Sequence, residues 1–415
     1  MKEKKSGEKV NYSKTTVRET NVPLHTFLYG LVRAYFFLCG VRMQGAVRSG
    51  MSVEGPAIVL CNHGSFVDFV FAGSMMRRTR PHFVVARLYF YHKALGWLLR
   101  QLGCFPKSMF ALDMESTKNC LRVLKEGRVL AMMPEARLST AGRFEDIQKN
   151  TYSFLKKCAV PVYTVKLSGD YLADPKWGKG FRRGAVIEAK MELLFTAEQI
   201  RTLPAEQIGK AVEDRLRYDE YGWLEEHPHI HYRSRRLAEG LENILTVCPK
   251  CGENYTVSTK GHDLFCKNCG RLTALSDRYA FDEQFQFRHP GQWYDWQKER
   301  MGAQIAADPA FSMTAEVELR LPGQGNSLTR HGGNGVCTLD RSGLTYAGTR
   351  DGAQVRLHFT LERIYRLLFG AGVNFEIYDG PEILYFVPEN KQACADWYMA
   401  SMLLHDEAAA QNRER

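Results

Sequence analysis

The sequence has no uninterrupted apolar run long enough to cross a membrane. Its nearest approach is VPLHTFLYGLVRAYFFLCGV (Val22–Val41), which carries His25 near its start and Arg33 near its middle. A central Arg costs about 2.5–3.5 kcal/mol in insertion assays. With Phe27, Leu28, Leu31, Tyr35 and Leu38 at helical spacing, residues 22–44 read instead as a membrane-interfacial helix with Arg33 snorkelling, or as a helix packed on a core. No secretory signal is expected either: Met1–Lys9 is rich in Lys and Glu, and residues 1–21 read as a disordered N-terminus. There is no single basic block. The 56 Lys and Arg against 46 Asp and Glu leave a net charge of +10, interleaved with aromatics over the first 190 residues. That distribution argues against a nucleic-acid groove and for an anionic membrane surface as partner. The eleven cysteines are an odd number, and four of them fall in two Cys-x-x-Cys pairs, a pattern that fits a reducing cytosol and a metal site better than a disulfide framework.

Among what is present, His63 and Asp68 stand out. They lie in Cys61-Asn62-His63-Gly64-Ser65-Phe66-Val67-Asp68, directly after the apolar run Ala57–Leu60. A strand ending in a polar turn sets an imidazole at a sheet edge. A carboxylate five residues on can fold back to one ring nitrogen, fix the tautomer and make the other nitrogen a better base. Such a pair can take a proton from a hydroxyl without a Ser or Cys nucleophile. With twelve histidines in the chain, the spacing alone is a weak motif.

At 415 residues the chain predicts two or three domains. Strand-like and helix-like runs alternate over residues 45–218: strands at Ala57–Cys61, Phe83–Ala86, Val129–Met133, Val162–Leu167 and Ala185–Ala189, helices at Phe69–Arg77, Leu88–Leu102, Ser116–Glu126, Phe144–Cys158 and Ala205–Tyr218. The alternation implies an α/β domain, a mixed sheet flanked by helices. His63 and Glu135 both follow strand ends, where ligand sites in such sheets gather. Residues 219–247 read as a polar connector whose His227, His229 and His231 match no standard ligand spacing. Cys248-Pro-Lys-Cys251-Gly and Cys266-Lys-Asn-Cys269-Gly, separated by a hairpin-sized gap, have zinc-ribbon spacing over residues 248–271. They imply one structural zinc on four thiolates, with iron the alternative metal. After a linker at 272–310, residues 311–405 read as about seven short strands and a closing helix at Lys391–Leu404, a small β-rich domain similar to a pleckstrin-homology barrel.

Further markers follow His63 in order: Phe105-Pro106-Lys107, then Pro134-Glu135-Ala136-Arg137-Leu138-Ser139, then Val160-Pro161-Val162. Together with Asn62-His63-x4-Asp68 they resemble the four blocks of the glycerolipid acyltransferase family, typified by lysophosphatidate acyltransferases, over roughly residues 25–215. In the second block the family's arginine would fall near Met109, with Lys107 the nearest cation; in the third, Ala136 stands where the family has Gly, and the arginine moves one place forward to Arg137. The resemblance implies that Asp68 orients His63, which deprotonates the hydroxyl of a lysophospholipid acceptor for attack on acyl-CoA or acyl carrier protein. It also implies that Arg137 holds the acceptor phosphate with help from Glu135 and Lys107, and that amides near Gly64 and Ser65 face the developing oxyanion. The implied acceptor is 1-acyl-sn-glycerol 3-phosphate, with lysophosphatidylethanolamine or glycerol 3-phosphate as alternatives. The implied setting is the cytoplasmic face of a membrane, peripheral or monotopic, in phospholipid biosynthesis. A non-catalytic lipid-binding scaffold is the competing class.

Overall fold

The computed structural model describes residues 17–47, 52–76, 79–323 and 325–414. Of the N-terminus expected to be disordered, residues 1–16 lie outside them, while 17–21 are tied to the domain, with Val17 against the core and the Asn21 amide donating to the Gln101 carbonyl at 2.7 Å. Helix α1 (Val22–Leu38) starts where the Asn21 side chain accepts from the Leu24 amide at 3.1 Å. Phe36 packs between Phe71 and Phe181, at ring separations of 5.1 and 5.3 Å. Phe27, Leu31, Tyr35, Phe37 and Leu38 remain exposed. Phe36, with the partly buried Tyr29 and Val32, thus holds α1 to the core while a greasy face stays outside. No helix among the described residues is long and apolar enough to cross a membrane.

The expected mixed sheet is present, with strands β1 (Arg42–Val47), β2 (Ala57–Cys61), β3 (His82–Ala86), β4 (Phe105–Lys107), β5 (Val129–Met132), β6 (Val162–Ser168) and β7 (Val186–Phe195) in the order β1-β7-β6-β2-β5-β3-β4. Neighbours are parallel except β6 and β7. All five residues of β2 are buried, because helices cover both faces of a parallel centre. Ile58 and Leu60 face one apolar cluster with Leu155, Ile208 and Val212, while Val59 and Cys61 face another with Phe71 and Val165, the two-residue period of a strand. The covering helices are α2 (Asp68–Met75), α3 (Lys93–Gln101), α4 (Met114–Lys125), α5 (Lys149–Cys158), α6 (Asp170–Ala173), α7 (Ala197–Thr202) and α8 (Ala205–Leu216).

Three sequence expectations change. The single helix at Leu88–Leu102 is a 3-10 turn, Arg87–Phe90, followed by α3, because the His92 ring caps the Leu95 amide and starts a new helix. The helix at Phe144–Cys158 begins only at Lys149, because Glu145 is drawn inward. Residues 219–247 are not a solvated connector: they form α9 (Glu220–Glu225) and a wrap that buries Tyr221, Leu224, Ile230, Tyr232, Leu241 and Ile244. Arg278 holds this wrap by donating to the carbonyls of Leu224, His227 and Ile230. These apolar residues have no regular period, so the sequence reads as polar.

The cysteine segment forms the antiparallel strands β8 (Val257–Lys260), β9 (Asp263–Cys266) and β10 (Gly270–Ala274). Gly252 and Gly270, each just after a Cys-x-x-Cys pair, take φ of +77°, a conformation open chiefly to Gly. Residues 272–310 are likewise packed rather than a loose linker. They carry α10 (Pro290–Ala307), whose Trp293 and Gln297 hydrogen-bond the Val247 backbone at 3.0 and 2.9 Å. The seven expected C-terminal strands follow: β11 (Ser312–Pro322), β12 (Thr329–Asp340), β13 (Gly343–Arg350), β14 (Ala353–Phe359), β15 (Leu368–Gly370), β16 (Asn374–Asp379) and β17 (Glu382–Pro388). They form one sheet ordered β14-β13-β12-β11-β17-β16-β15. Helix α11 (Cys394–Glu414) closes it, with Trp397 stacked on Phe375 at 4.4 Å.

Candidate active site

Strand β2 delivers His63 to the carboxyl end of the sheet, and Asn62 fixes that end. The Asn62 amide donates to the Leu167 carbonyl at 2.9 Å and accepts from the Leu167 amide at 2.7 Å, tying β2 to β6. His63 Nδ1 lies 2.9 Å from Asp68 Oδ2, on the first residue of α2. Asp68 is fully buried and also accepts from the Ser65 amide at 3.1 Å. Because a carboxylate accepts at Nδ1, the ring carries its proton there and presents Nε2 as a base. Burial, with a second contribution from the Lys176 cation, holds the His63 pKa down to about 4. The ring is therefore neutral at pH 7, as a general base must be. Burial pushes the Asp68 carboxyl up, while the neighbouring Asp170 carboxyl and the hydrogen bond from the Ser65 amide pull it down.

Glu135 follows β5 and departs from expectation. It makes no hydrogen bond to Arg137, and both of its oxygens are taken up by main-chain amides. One oxygen accepts from the His63 amide at 2.9 Å and the other from the Glu145 amide at 2.8 Å, and the side chain is fully buried. A carboxylate surrounded by backbone donors positions the main chain; here it ties His63 to the loop that follows Arg137. Burial raises its pKa to about 8 against the pull of those amides. Ser65 is also corrected. It is buried, its amide is committed to Asp68, and its hydroxyl accepts from the Val67 amide and donates to Asp174 at 3.4 Å. Gly64 packs on Asp170: a Cβ there would lie 2.5 Å from Asp170 Oδ2, which restricts the position to Gly.

Arg137 is buried between the Phe110 and Tyr398 rings, 5.6 and 6.0 Å from their centroids. Its Nε and Nη2 donate to Glu145 Oε2 at 3.2 and 3.0 Å, while Nη1 has no hydrogen bond among the described residues. The Tyr398 hydroxyl donates to the same Glu145 oxygen at 2.9 Å, and Arg366 binds the adjacent Asp146 at 2.7 Å. The C-terminal half therefore grips Glu145, which sets the aim of Arg137, and its neighbour Asp146. Sequence reasoning missed Glu145, Tyr398 and Arg366, since no local spacing links positions so far apart.

His63, Lys107 and Arg137 line one cavity of 2630 Å³ whose wall is mostly apolar and runs past α1, α2 and α3. Lys176, Glu376, Phe369 and Tyr398 complete its lining. Ala136, at the position where a Gly was expected, has φ of +57°. A left-handed conformation costs an L-residue roughly 1–2 kcal/mol, partly offset by the greater unfolded freedom of Gly. Ala136→Gly is expected to raise stability by about 1 kcal/mol in denaturant unfolding; a loss of stability would show that the turn is not strained.

The sulfurs of Cys248, Cys251, Cys266 and Cys269 all lie within 4.8 Å of one another, and those of Cys251 and Cys266 are 3.8 Å apart. A tetrahedron with metal–sulfur bonds of about 2.3 Å has edges of about 3.8 Å, so the four thiols are spaced to hold one ion. His227 and His231 are otherwise engaged, with the Trp223 carbonyl and Asp277.

Residues 41–168 match the model of the Acyltransferase family. The 1-acyl-sn-glycerol-3-phosphate acyltransferase BAT2, chloroplastic, of Brassica napus is 24% identical over 131 residues, 31% of this chain and 38% of that protein. The corresponding enzyme LPAT1, chloroplastic, of Arabidopsis thaliana is 25% identical over 131 residues, 31% of this chain and 36% of its own. The match thus spans less than two fifths of either relative. The crystal structure of the 1-acyl-sn-glycerophosphate (LPA) acyltransferase PlsC from Thermotoga maritima aligns with 47% of this chain and 80% of that one, at 18% identity and a TM-score of 0.36. The family match includes His63, Asp68, Lys107, Glu135 and Arg137 and stops short of Lys176, the cysteines and the C-terminal sheet.

Proposed function

We propose, for a chain whose residues 41–168 are an acyltransferase-family domain, that it moves a fatty acyl group from a thioester, acyl-CoA or acyl carrier protein, to the hydroxyl of a lysophospholipid, 1-acyl-sn-glycerol 3-phosphate. The observation that carries this reading is the His63–Asp68 pair at 2.9 Å, with His63 on the wall of a large apolar cavity. His63 Nε2 takes the hydroxyl proton as the oxygen attacks the thioester carbonyl. The C–O bond forms, the C–S bond breaks, and the imidazolium returns its proton to the departing thiolate. Asp68 holds the ring and offsets its transient charge. The acyl chains lie along the apolar wall.

The exposed apolar face of α1 supports a peripheral or monotopic position on an anionic membrane surface, and the cytoplasmic face is the side we assign to it as part of the same proposal. A structural zinc ion on Cys248, Cys251, Cys266 and Cys269 would brace the ribbon and take no part in acyl transfer. The discriminating experiment measures thiol release from acyl-CoA or acyl carrier protein with 1-acyl-sn-glycerol 3-phosphate, lysophosphatidylethanolamine, glycerol 3-phosphate and no acceptor. Release that depends on 1-acyl-sn-glycerol 3-phosphate is expected. Preference for another acceptor would move the substrate assignment, and lipid binding without any release would favour the scaffold.

A further inference from the structure

The cavity wall beyond the family domain has its own chemistry. Lys176 follows α6, and its ammonium lies 3.5 Å from the centre of the Phe369 ring at the start of the β15–β16 hairpin. Among the described residues it has no carboxylate within 4.0 Å and no hydrogen bond, although Glu145 and Glu376 are near enough to act on it electrostatically and Arg137 opposes them. Burial holds its pKa down to about 7, the behaviour of a cation short of a counter-ion. Arg137 faces the same cavity with Nη1 buried and unpartnered, its remaining donors held by Glu145. Arg137, with a buried and unmatched N–H, and the half-buried Lys176, without a carboxylate partner, thus look into one space beside His63, and Lys176 comes from outside residues 41–168. Glu376 of β16, near enough to act on Lys176, lines the same space.

Resting on the acyltransferase reading, we infer that Lys176, with Arg137 Nη1, forms the site for the phosphate of the acceptor, and that the C-terminal sheet sets its size and charge through Phe369 and Glu376. A phosphate group between the two would give Arg137 Nη1 an acceptor and Lys176 a counter-ion, and charge-assisted bonds of this kind are the stronger ones. Glu376 bounds the anion and disfavours further negative charge. Arg137 alone is poorly suited to the role, because Glu145 already neutralises it.

The test compares full-length wild type, Lys176→Gln and Lys176→Arg for kcat/KM with 1-acyl-sn-glycerol 3-phosphate against the uncharged 1-acylglycerol. The ratio of the two should fall by about tenfold or more in Lys176→Gln and largely recover in Lys176→Arg. A ratio within twofold of wild type, or equal loss in both variants on both acceptors, would overturn the inference. If Lys176→Gln does not fold, Glu376→Gln decides: removing its charge should raise the ratio, and an unchanged or lower ratio overturns the inference. If wild type releases no thiol with any acceptor, the enzymatic reading falls separately. Binding of the same two lipids to His63→Ala then decides for Lys176, by whether the added Lys176→Gln change abolishes the preference for the phosphorylated one.

Discussion

His63→Ala lowers acyl transfer by about 10²–10⁴-fold, the usual contribution of a positioned general base, while folding and metal content stay as in wild type. The ring is the partly exposed end of a strand, with a side chain 24% accessible, so its removal leaves little cavity. Asp68→Asn falls in the same direction, because an amide can present a donor to Nδ1 and so select the wrong tautomer. The acid limb of the pH profile is expected near pH 4, where burial and Lys176 place His63, instead of near its ordinary value of about 6.5. The sign follows from the depressed pKa. The folded state prefers the neutral ring, so this contribution to stability is complete above about pH 6.5 and is lost as pH falls through about 4. Normal turnover by His63→Ala would sink the mechanism, and an acid limb at 6.5 would show that the ring is not desolvated.

Stripping the four-cysteine site with a chelator, or replacing Cys251 by Ser, is the second large effect. The Val247 backbone just ahead of Cys248 is held by Trp293 and Gln297 of α10, and Thr246 donates to Asp396 of α11 at 2.8 Å. Tyr398, two residues on, bonds Glu145. A structural zinc site contributes on the order of 10 kcal/mol, so its loss should lower the thermal midpoint by more than about 10 °C. Activity should fall with it, since the Tyr398–Glu145–Arg137 chain of contacts loosens. Calorimetry and metal analysis on the same samples check this. Release of metal with an unchanged midpoint and KM would show that the ribbon is not a brace.

Local chemistry was legible in the sequence and tertiary closure was not. His63 and Asp68 are five residues apart, and each cysteine pair is three apart, so spacing alone brings their atoms together. The alternating runs of residues 45–218 and the short strands after 311 carry their periods openly. Glu135 was found but given the wrong task, because nothing local says that its oxygens meet the His63 and Glu145 amides. The start of α5 was misplaced for the same reason: Phe144–Gln148 has helical composition, yet Glu145 is worth more against Arg137 and Tyr398 than as part of a first helical turn. Lys176 carries no motif at all, and its meaning appears only when β15 and β16 arrive beside it.

The grip on Glu145 and Asp146 has a consequence for synthesis. Their partners Tyr398 and Arg366 lie 253 and 220 residues further along the chain. Domains generally fold from the N-terminus as the chain emerges, so the growing polypeptide holds the His63–Asp68 and Arg137–Glu145 pairs long before Tyr398 and Arg366 can secure Glu145 and Asp146. The two pairs are built early, and the contacts that lock Glu145 in place form only once translation has passed α11.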